Sequence, residues 1–265
     1  NIENGEITSC TNSAEITAYY QCVGGICGTV SGSVAISECI NSGDIAINDT
    51  SEGGNAGVGG ICGGSWIPMK AISIVNCYNS GNLSGYQKYD DIMYIFGIFG
   101  SLLTDTKYDI DILNCCNAGT ITYRSPMGGA AYTGGVCLTL AIGVNVEHCF
   151  WLADASGGVD SGARTKEQFA RGEVAYELNK WDNTEYGGKM WKVGDNGYPV
   201  LEGDNNEVLR VIFRKIIGNK IMATYGINKG GTLENTDTSW ITGNMRLIFN
   251  FDIIPKEDLL KTPLN

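Results

Sequence analysis

Apolar and polar positions alternate through residues 1–152 in short runs that glycine and asparagine interrupt. Ile72 and Ile74 and, past a step, Cys77 are followed by a turn at Asn79-Ser80-Gly81 and then by Leu83. Such alternation, bounded by turn residues, predicts strand, turn, strand. The stretch Val58-Gly59-Gly60-Ile61-Cys62-Gly63 predicts a third short strand, and the glycine after Asn-x is expected to supply a positive φ at a corner.

Both patterns recur. C-x-N-x-G-x-[IL] is found at Cys39-Asn41-Gly43-Ile45, Cys77-Asn79-Gly81-Leu83 and Cys115-Asn117-Gly119-Ile121, with a variant at Cys10-Asn12-Ala14-Ile16 and a last, shortened copy at His148-Cys149-Phe150-Trp151. Its cysteines are separated by 29, 38, 38 and 34 residues. G-G-I-C-G is found at Gly24–Gly28 and Gly59–Gly63, with softer copies at Phe96–Gly100 and Gly134–Cys137; its marks at 27, 62, 99 and 137 step by 35, 37 and 38. Two marks sharing one period define an internal repeat. Three short strands per period of about 35 residues predict an all-β chain, a parallel β-helix solenoid of about four coils. Equivalent residues of successive coils then stack about 4.8 Å apart. Asn1 to Ile7 read as the tail of a repeat, so the chain reads as an excised piece.

The cysteines follow the repeat. Cys10, Cys39, Cys77, Cys115 and Cys149 make one column, and Cys27, Cys62 and Cys137 a second in which Phe99 takes one place. A position that phenylalanine can occupy fills space, so these read as buried free thiols. A disulfide framework is the rival reading, because ten is an even number. Metal binding is disfavoured by a single histidine and the lack of C-x-x-C. Cys22 and Cys116 lie off the columns, and Cys116 is expected outside or at a bend. Asn12, Asn41, Asn79 and Asn117 would stack as corner-stabilising amides.

Charge narrows the partners. Of the chain's 265 residues, 1–150 hold four basic residues and 13 acidic ones, which would repel nucleic-acid phosphates and anionic membranes. No apolar run is long enough for a membrane span. Residues 206–265 hold eight basic and six acidic residues, and this shift marks a domain boundary near Gly203 to Asn206.

The combination of G-G-I-C-G with Asn76-Cys77-Tyr78-Asn79-Ser80-Gly81-Asn82-Leu83 resembles the GLUG repeat over about residues 1–152. That repeat occurs in bacterial cell-surface proteins, including the non-catalytic region of IgA-specific metallopeptidases and adhesin-like proteins of gut bacteria. The resemblance implies architecture and an extracellular, cell-surface setting. It carries no functional residues, and no H-E-x-x-H is present.

Beyond the repeats, Thr165 and Gln168 form a capping-box pattern ahead of an amphipathic helix with apolar Phe169, Val174, Ala175 and Leu178, broken near Gly172. With Trp181, Trp191 and Tyr198-Pro199-Val200-Leu201, residues 153–204 read as a C-terminal cap that covers the last coil. The segment is similar to the tail that commonly follows GLUG repeats. Residues 205–265 read as a small β-grasp-like domain opening with a hairpin around Gly218-Asn219. Asn228-Lys229-Gly230-Gly231-Thr232, Trp240 and Phe249-Asn250-Phe251-Asp252 resemble Listeria–Bacteroides repeat modules, although Ser239 stands where those have glycine.

Candidate chemistry is sparse. Parallel β-helix enzymes need converging carboxylates, or an arginine with calcium. The best cluster is Asp105, Asp109 and Asp111, with Asp90 and Asp91 one coil earlier and Arg124 as the nearest arginine. Stacked Glu15, Asp44 and Asn82 offer a calcium alternative. His148 adjoins Cys149, but neighbouring strand residues face opposite ways, so a Cys–His nucleophile is not expected. The reading is a non-catalytic module with no catalytic, cofactor or metal residue. It is an adhesin-like face or stalk for host glycan or glycoprotein, without nucleic-acid binding or membrane insertion, and a monomer or part of a longer chain. The alternatives are a polysaccharide-active β-helix enzyme and a non-catalytic segment of a larger secreted peptidase.

Overall fold

A computed structural model describes residues 2–19, 22–49, 56–100, 109–138, 143–153, 162–181 and 191–201. It gives the backbone alone at 2–3, 66–70 and the strands Leu209–Ile217, Lys220–Lys229, Thr232–Glu234 and Leu247–Phe249. The chain divides into two compact units, one built on Asn1–Lys166 and the other beginning at Glu167.

In the first unit the alternating runs form strands that stack into four parallel sheets, an all-β, β-helix-like fold. Sheet A takes Ile2–Thr8, Val30–Ser37, Ser65–Val75, Ile110–Leu113 and Val144–Glu147. Sheet B takes Thr11–Asn12, Ile40–Asn41, Tyr78–Asn79, Cys116–Asn117, Phe150–Leu152 and Ala163–Arg164. Sheet C takes Ile16–Ala18, Ile45–Asp49, Leu83–Gln87 and Ile121–Arg124. Sheet D takes Cys22–Gly24, Ala56–Gly59, Ile92–Phe96 and Ala130–Gly134. The chain therefore runs A, B, C, D in each of the first four coils, and the expectation of three strands is corrected to four. G-G-I-C-G is not a full strand: it follows sheet D as a corner, tied between coils by single parallel bridges, Cys27 to Cys62 and Cys62 to Phe99.

The fourth strand arises because what reads as one run is cut. Ser9, Glu38, Asn76, Asn114 and His148 each take a left-handed backbone, with φ between 51° and 57°, at the corner between sheets A and B. Asparagine and histidine tolerate this conformation better than most residues. The positive φ expected at the glycine after Asn-x is absent: Gly43, Gly81 and Gly119 are not among the left-handed residues. They are glycines for a different reason. A Cβ on Gly81 would strike the carbonyl of Gly43, and one on Gly119 the carbonyl of Gly81. A Cβ on Gly43 would strike the carbonyl of Ala14. Ala14 keeps its methyl because it belongs to the first coil of the stack.

Inward residues fill two regions of the interior. Val34, Ile36, Ile72, Ile74, Ile110 and Ile112 of sheet A pack with both cysteine columns. Ile45, Ile47 and Leu83 of sheet C pack against Val58, Met93 and Ile95 of sheet D. The stacked positions match in register, for example Ile36 with Ile74 and Ile74 with Ile112.

In the second unit, helices α1 (Lys166–Ala170) and α2 (Glu173–Asn179) are separated by Gly172 at φ 75°. Phe169 meets Tyr198 with ring centroids 5.1 Å apart. Asn179 bonds the main chain of Trp191 through both amide atoms, at 2.6 and 2.8 Å, where Trp191–Val193 pairs antiparallel with Pro199–Leu201. Leu209–Ile217 pairs antiparallel with Lys220–Lys229, the hairpin expected there, and the sheet continues to Thr232–Glu234 and Leu247–Phe249. Trp240, residues 218–219 and Asn250 to Pro255 lie outside the described residues. Among the described residues no helix is long and apolar enough to cross a membrane.

The glycine stack makes a direct prediction. Gly81→Ala lowers the free energy of unfolding by about 3 kcal/mol, because a methyl must displace main chain. Ala14→Gly, at the equivalent place in the first coil, costs under about 1 kcal/mol. Equilibrium urea unfolding of the two variants checks the contrast.

Candidate functional site

Three axial ladders occupy most of the polar side chains that the repeat supplies. The first is the asparagine column inside the coil. Asn12 Nδ2 donates to Asn41 Oδ1 at 2.8 Å, Asn41 to Asn79 at 2.8 Å, and Asn79 to Asn117 at 2.7 Å. Each Nδ2 also donates to the carbonyl two residues on, as from Asn79 to Gly81 at 2.9 Å. Asn41, Asn79 and Asn117 are fully buried. Gly25, Gly60 and Gly97 lie against these amides, so the second glycine of G-G-I-C-G makes room for the ladder. In the last coil Trp151 takes the asparagine's place, paired in register with Asn117, and its ring lies on Gly135. The column is structural, as expected.

The second ladder follows the left-handed corner. Asn114 Nδ2 donates to Asn76 Oδ1 at 2.7 Å, and Ser9 Oγ donates to Glu38 at 3.0 Å. His148 Nδ1 lies 2.9 Å from Asn114 Oδ1. With the Asn114 amide nitrogen turned towards Asn76, its oxygen must accept, which assigns the proton to Nδ1 of His148. The His148 ring also meets Phe150 edge-on, with centroids 5.3 Å apart. Cys149 points elsewhere, its thiol donating to the carbonyls of Ile112 and Glu147, both at 3.3 Å. The two residues do not form a nucleophile–base pair.

The thiols make the third ladder. Cys39, Cys77, Cys115 and Cys149 are buried, and the single S–H of each lies between two carbonyls, one two residues back and one in the preceding coil. Their sulfurs also accept main-chain N–H groups, Cys77 N–H from Cys115 and Cys115 N–H from Cys149, each at 3.4 Å. This explains cysteine rather than alanine: the corner leaves donors and acceptors that a thiol satisfies. All ten cysteines are free. Cys10, in the first coil, is exposed rather than buried. Cys116 is also corrected: it faces outward yet is fully buried, lying between Tyr78 and Phe150 in the outer column of sheet B. Burial pushes the Cys115, Cys116 and Cys137 thiols well above their ordinary range.

Among the described residues the acidic candidates do not converge. Asp90 and Asp91 sit between strands of sheets C and D, whereas Asp109 lies just before, and Asp111 within, the sheet A strand Ile110–Leu113. Asp111 has Ser73 and Asn145 as its register neighbours and accepts from Asn145 Nδ2 at 3.0 Å. Asp105 lies outside the described residues, and Arg124 ends a strand of sheet C. In the calcium alternative, Asp44 Oδ1 accepts the Asn82 main-chain N–H at 2.8 Å and its amide at 3.1 Å. Asn82 Oδ1 in turn accepts the Thr120 hydroxyl at 2.6 Å. These groups form an exposed capping ladder. Among the described residues no group of three or more His, Cys, Asp or Glu is placed to hold a metal ion.

One feature of the surface escapes the repeat consensus. Tyr94 and Tyr132 are register partners on the outer face of sheet D, stacked with centroids 5.4 Å apart and planes at 15°. Tyr132 is 48% exposed, on the last strand of that sheet. The 38-residue step between them equals that between Cys77 and Cys115, the only signal that pairs them in advance. Such rings can take an apolar or sugar face while the hydroxyls stay wet.

Compared with models of known families, with curated proteins and with solved structures, the chain matches none.

The thiol environments predict an order of reactivity. In native protein at neutral pH, iodoacetamide labels Cys10 first, while Cys39, Cys77, Cys115 and Cys149 react only once the chain is denatured. Peptide mass mapping over a labelling time course checks this.

Proposed function

We propose that this chain is a non-catalytic module of a bacterial cell-surface protein, adhesin-like or a stalk, which presents an extended β-helix face to host glycan or glycoprotein. One observation carries the reading. The outward polar groups are bonded along the axis to their own column, Asp44 to Asn82 to Thr120 and Asp111 to Asn145. Their oxygens hold the faces regular instead of converging on a reacting atom. A regular, rigid face suits presentation, and the exposed Tyr132 stack adds an apolar element suited to a sugar ring.

The resemblance to GLUG repeats supports the extracellular setting. Within this reading, residues 153–204 serve as the cap of the solenoid and residues 205–265 as a small β-grasp-like spacer or contact module.

A glycan and host-glycoprotein array, run on the intact chain with calcium and with chelator, tests the proposal. Binding is expected to survive Asp109→Ala and Asp111→Ala, and to fall about tenfold in Tyr132→Ala, the loss of one aromatic contact of ~1.4 kcal/mol. Cleavage of an acidic polysaccharide that disappears in the two aspartate variants would replace this reading with an enzyme.

A further inference from the structure

The cysteine at the glycine-rich corner recurs in only some coils, and the interruption isolates a pair. Cys27 and Cys62 face each other in adjacent coils through a parallel bridge. Rung spacing sets their Cα atoms about 4.8 Å apart, inside the ~4.4–6.8 Å that a disulfide spans. On the other side Cys62 is bridged to Phe99, so each of the two has a single thiol neighbour in its column. Cys137 lies beyond that phenylalanine.

The longer column differs. There Cys77 and Cys115 have thiols on both sides, and from Cys39 to Cys149 each sulfur is held by two carbonyls. Cys27 reaches one carbonyl, that of Thr29 at 3.2 Å, and Cys62 one, that of Gly64 at 3.8 Å. These are the less firmly held thiols. The neighbouring Cys62 thiol lowers the Cys27 thiol from its ordinary range, which favours the nucleophilic thiolate at that member of the pair. Cys27 is 5% exposed and Cys62 closed off, so attack requires local opening of the corner.

We propose that Cys27 and Cys62 form a redox-active dithiol that closes to a disulfide stapling two adjacent coils. With a small-molecule disulfide such as oxidised glutathione as oxidant, the Cys27 thiolate attacks one glutathione sulfur and expels glutathione thiolate. Cys62, on losing its proton, attacks the Cys27 sulfur of the mixed disulfide and expels the second glutathione. Two thiols become one disulfide, and the oxidant becomes two thiols that take up the two protons.

The test equilibrates the full chain in glutathione redox buffers, quenches it in acid, alkylates it and maps the peptides without reduction. A single two-electron transition is expected, with Cys27 joined to Cys62 while Cys39, Cys77, Cys115 and Cys149 remain alkylated as free thiols. In Cys62→Ser the reaction should stop at glutathione on Cys27, with far-UV circular dichroism reporting whether that variant folds. The wild-type map is decisive by itself. Absence of the Cys27–Cys62 peptide under buffers that oxidise the denatured chain overturns the proposal, as does a spread of disulfides over both columns.

Discussion

The structure depends on in-register stacking of equivalent residues, coil upon coil, at the spacing of a parallel sheet. Once Asn41 lies over Asn79 and Asn79 over Asn117, one coil's side chain becomes the hydrogen-bond partner of the next. A buried amide would otherwise leave donors and acceptors unmet at considerable cost; here each amide is bonded by a copy of itself. The same spacing dictates the glycines. Main chain approaches main chain so closely at Gly43, Gly81 and Gly119 that no Cβ fits, and the one alanine of that column is in the first coil. Trp151 ends the amide series by covering Gly135 with a ring instead of another amide.

This constraint also shapes the surface. A side chain on an outer face has a counterpart one rung away, so short polar groups find axial partners before they find each other across the coil. Asp44, Asn82 and Thr120 bond in this way, as do Asp111 and Asn145. Aromatic side chains obey the same geometry, and Tyr94 on Tyr132 is the result. Parallel stacking thus organises the described exterior of the solenoid into columns, each side chain set against its counterpart one rung away.

Much of the stack is legible in the chain because identical residues recur at fixed steps: the cysteine and asparagine columns and the number of coils can all be read off. The corner between sheets A and B could not be, because a left-handed residue need not be glycine. Ser9, Glu38, Asn76, Asn114 and His148 share a conformation but not a residue type, so no consensus marks them, and one apparent run turned out to be two strands. The glycine after Asn-x was legible as obligatory while its cause was not, since close approach to the preceding coil and positive φ both call for glycine. Cys116 faces outward, as alternation requires, but its burial between Tyr78 and Phe150 depends on which large residues neighbouring coils place beside it. The scattering of Asp90 and Asp91 from Asp109 and Asp111 follows from the number of sides per coil, which alternation alone left one short.

By itself the sequence determined the repeat, its register and which residues share a column, because periodicity is a property of spacing and parallel stacking converts spacing into contact. Only the tertiary structure decided how many faces each coil has, which residues make its corners, and which thiols and carboxylates meet. Those depend on backbone conformation at single residues and on distances across the coil, neither of which a one-dimensional pattern contains.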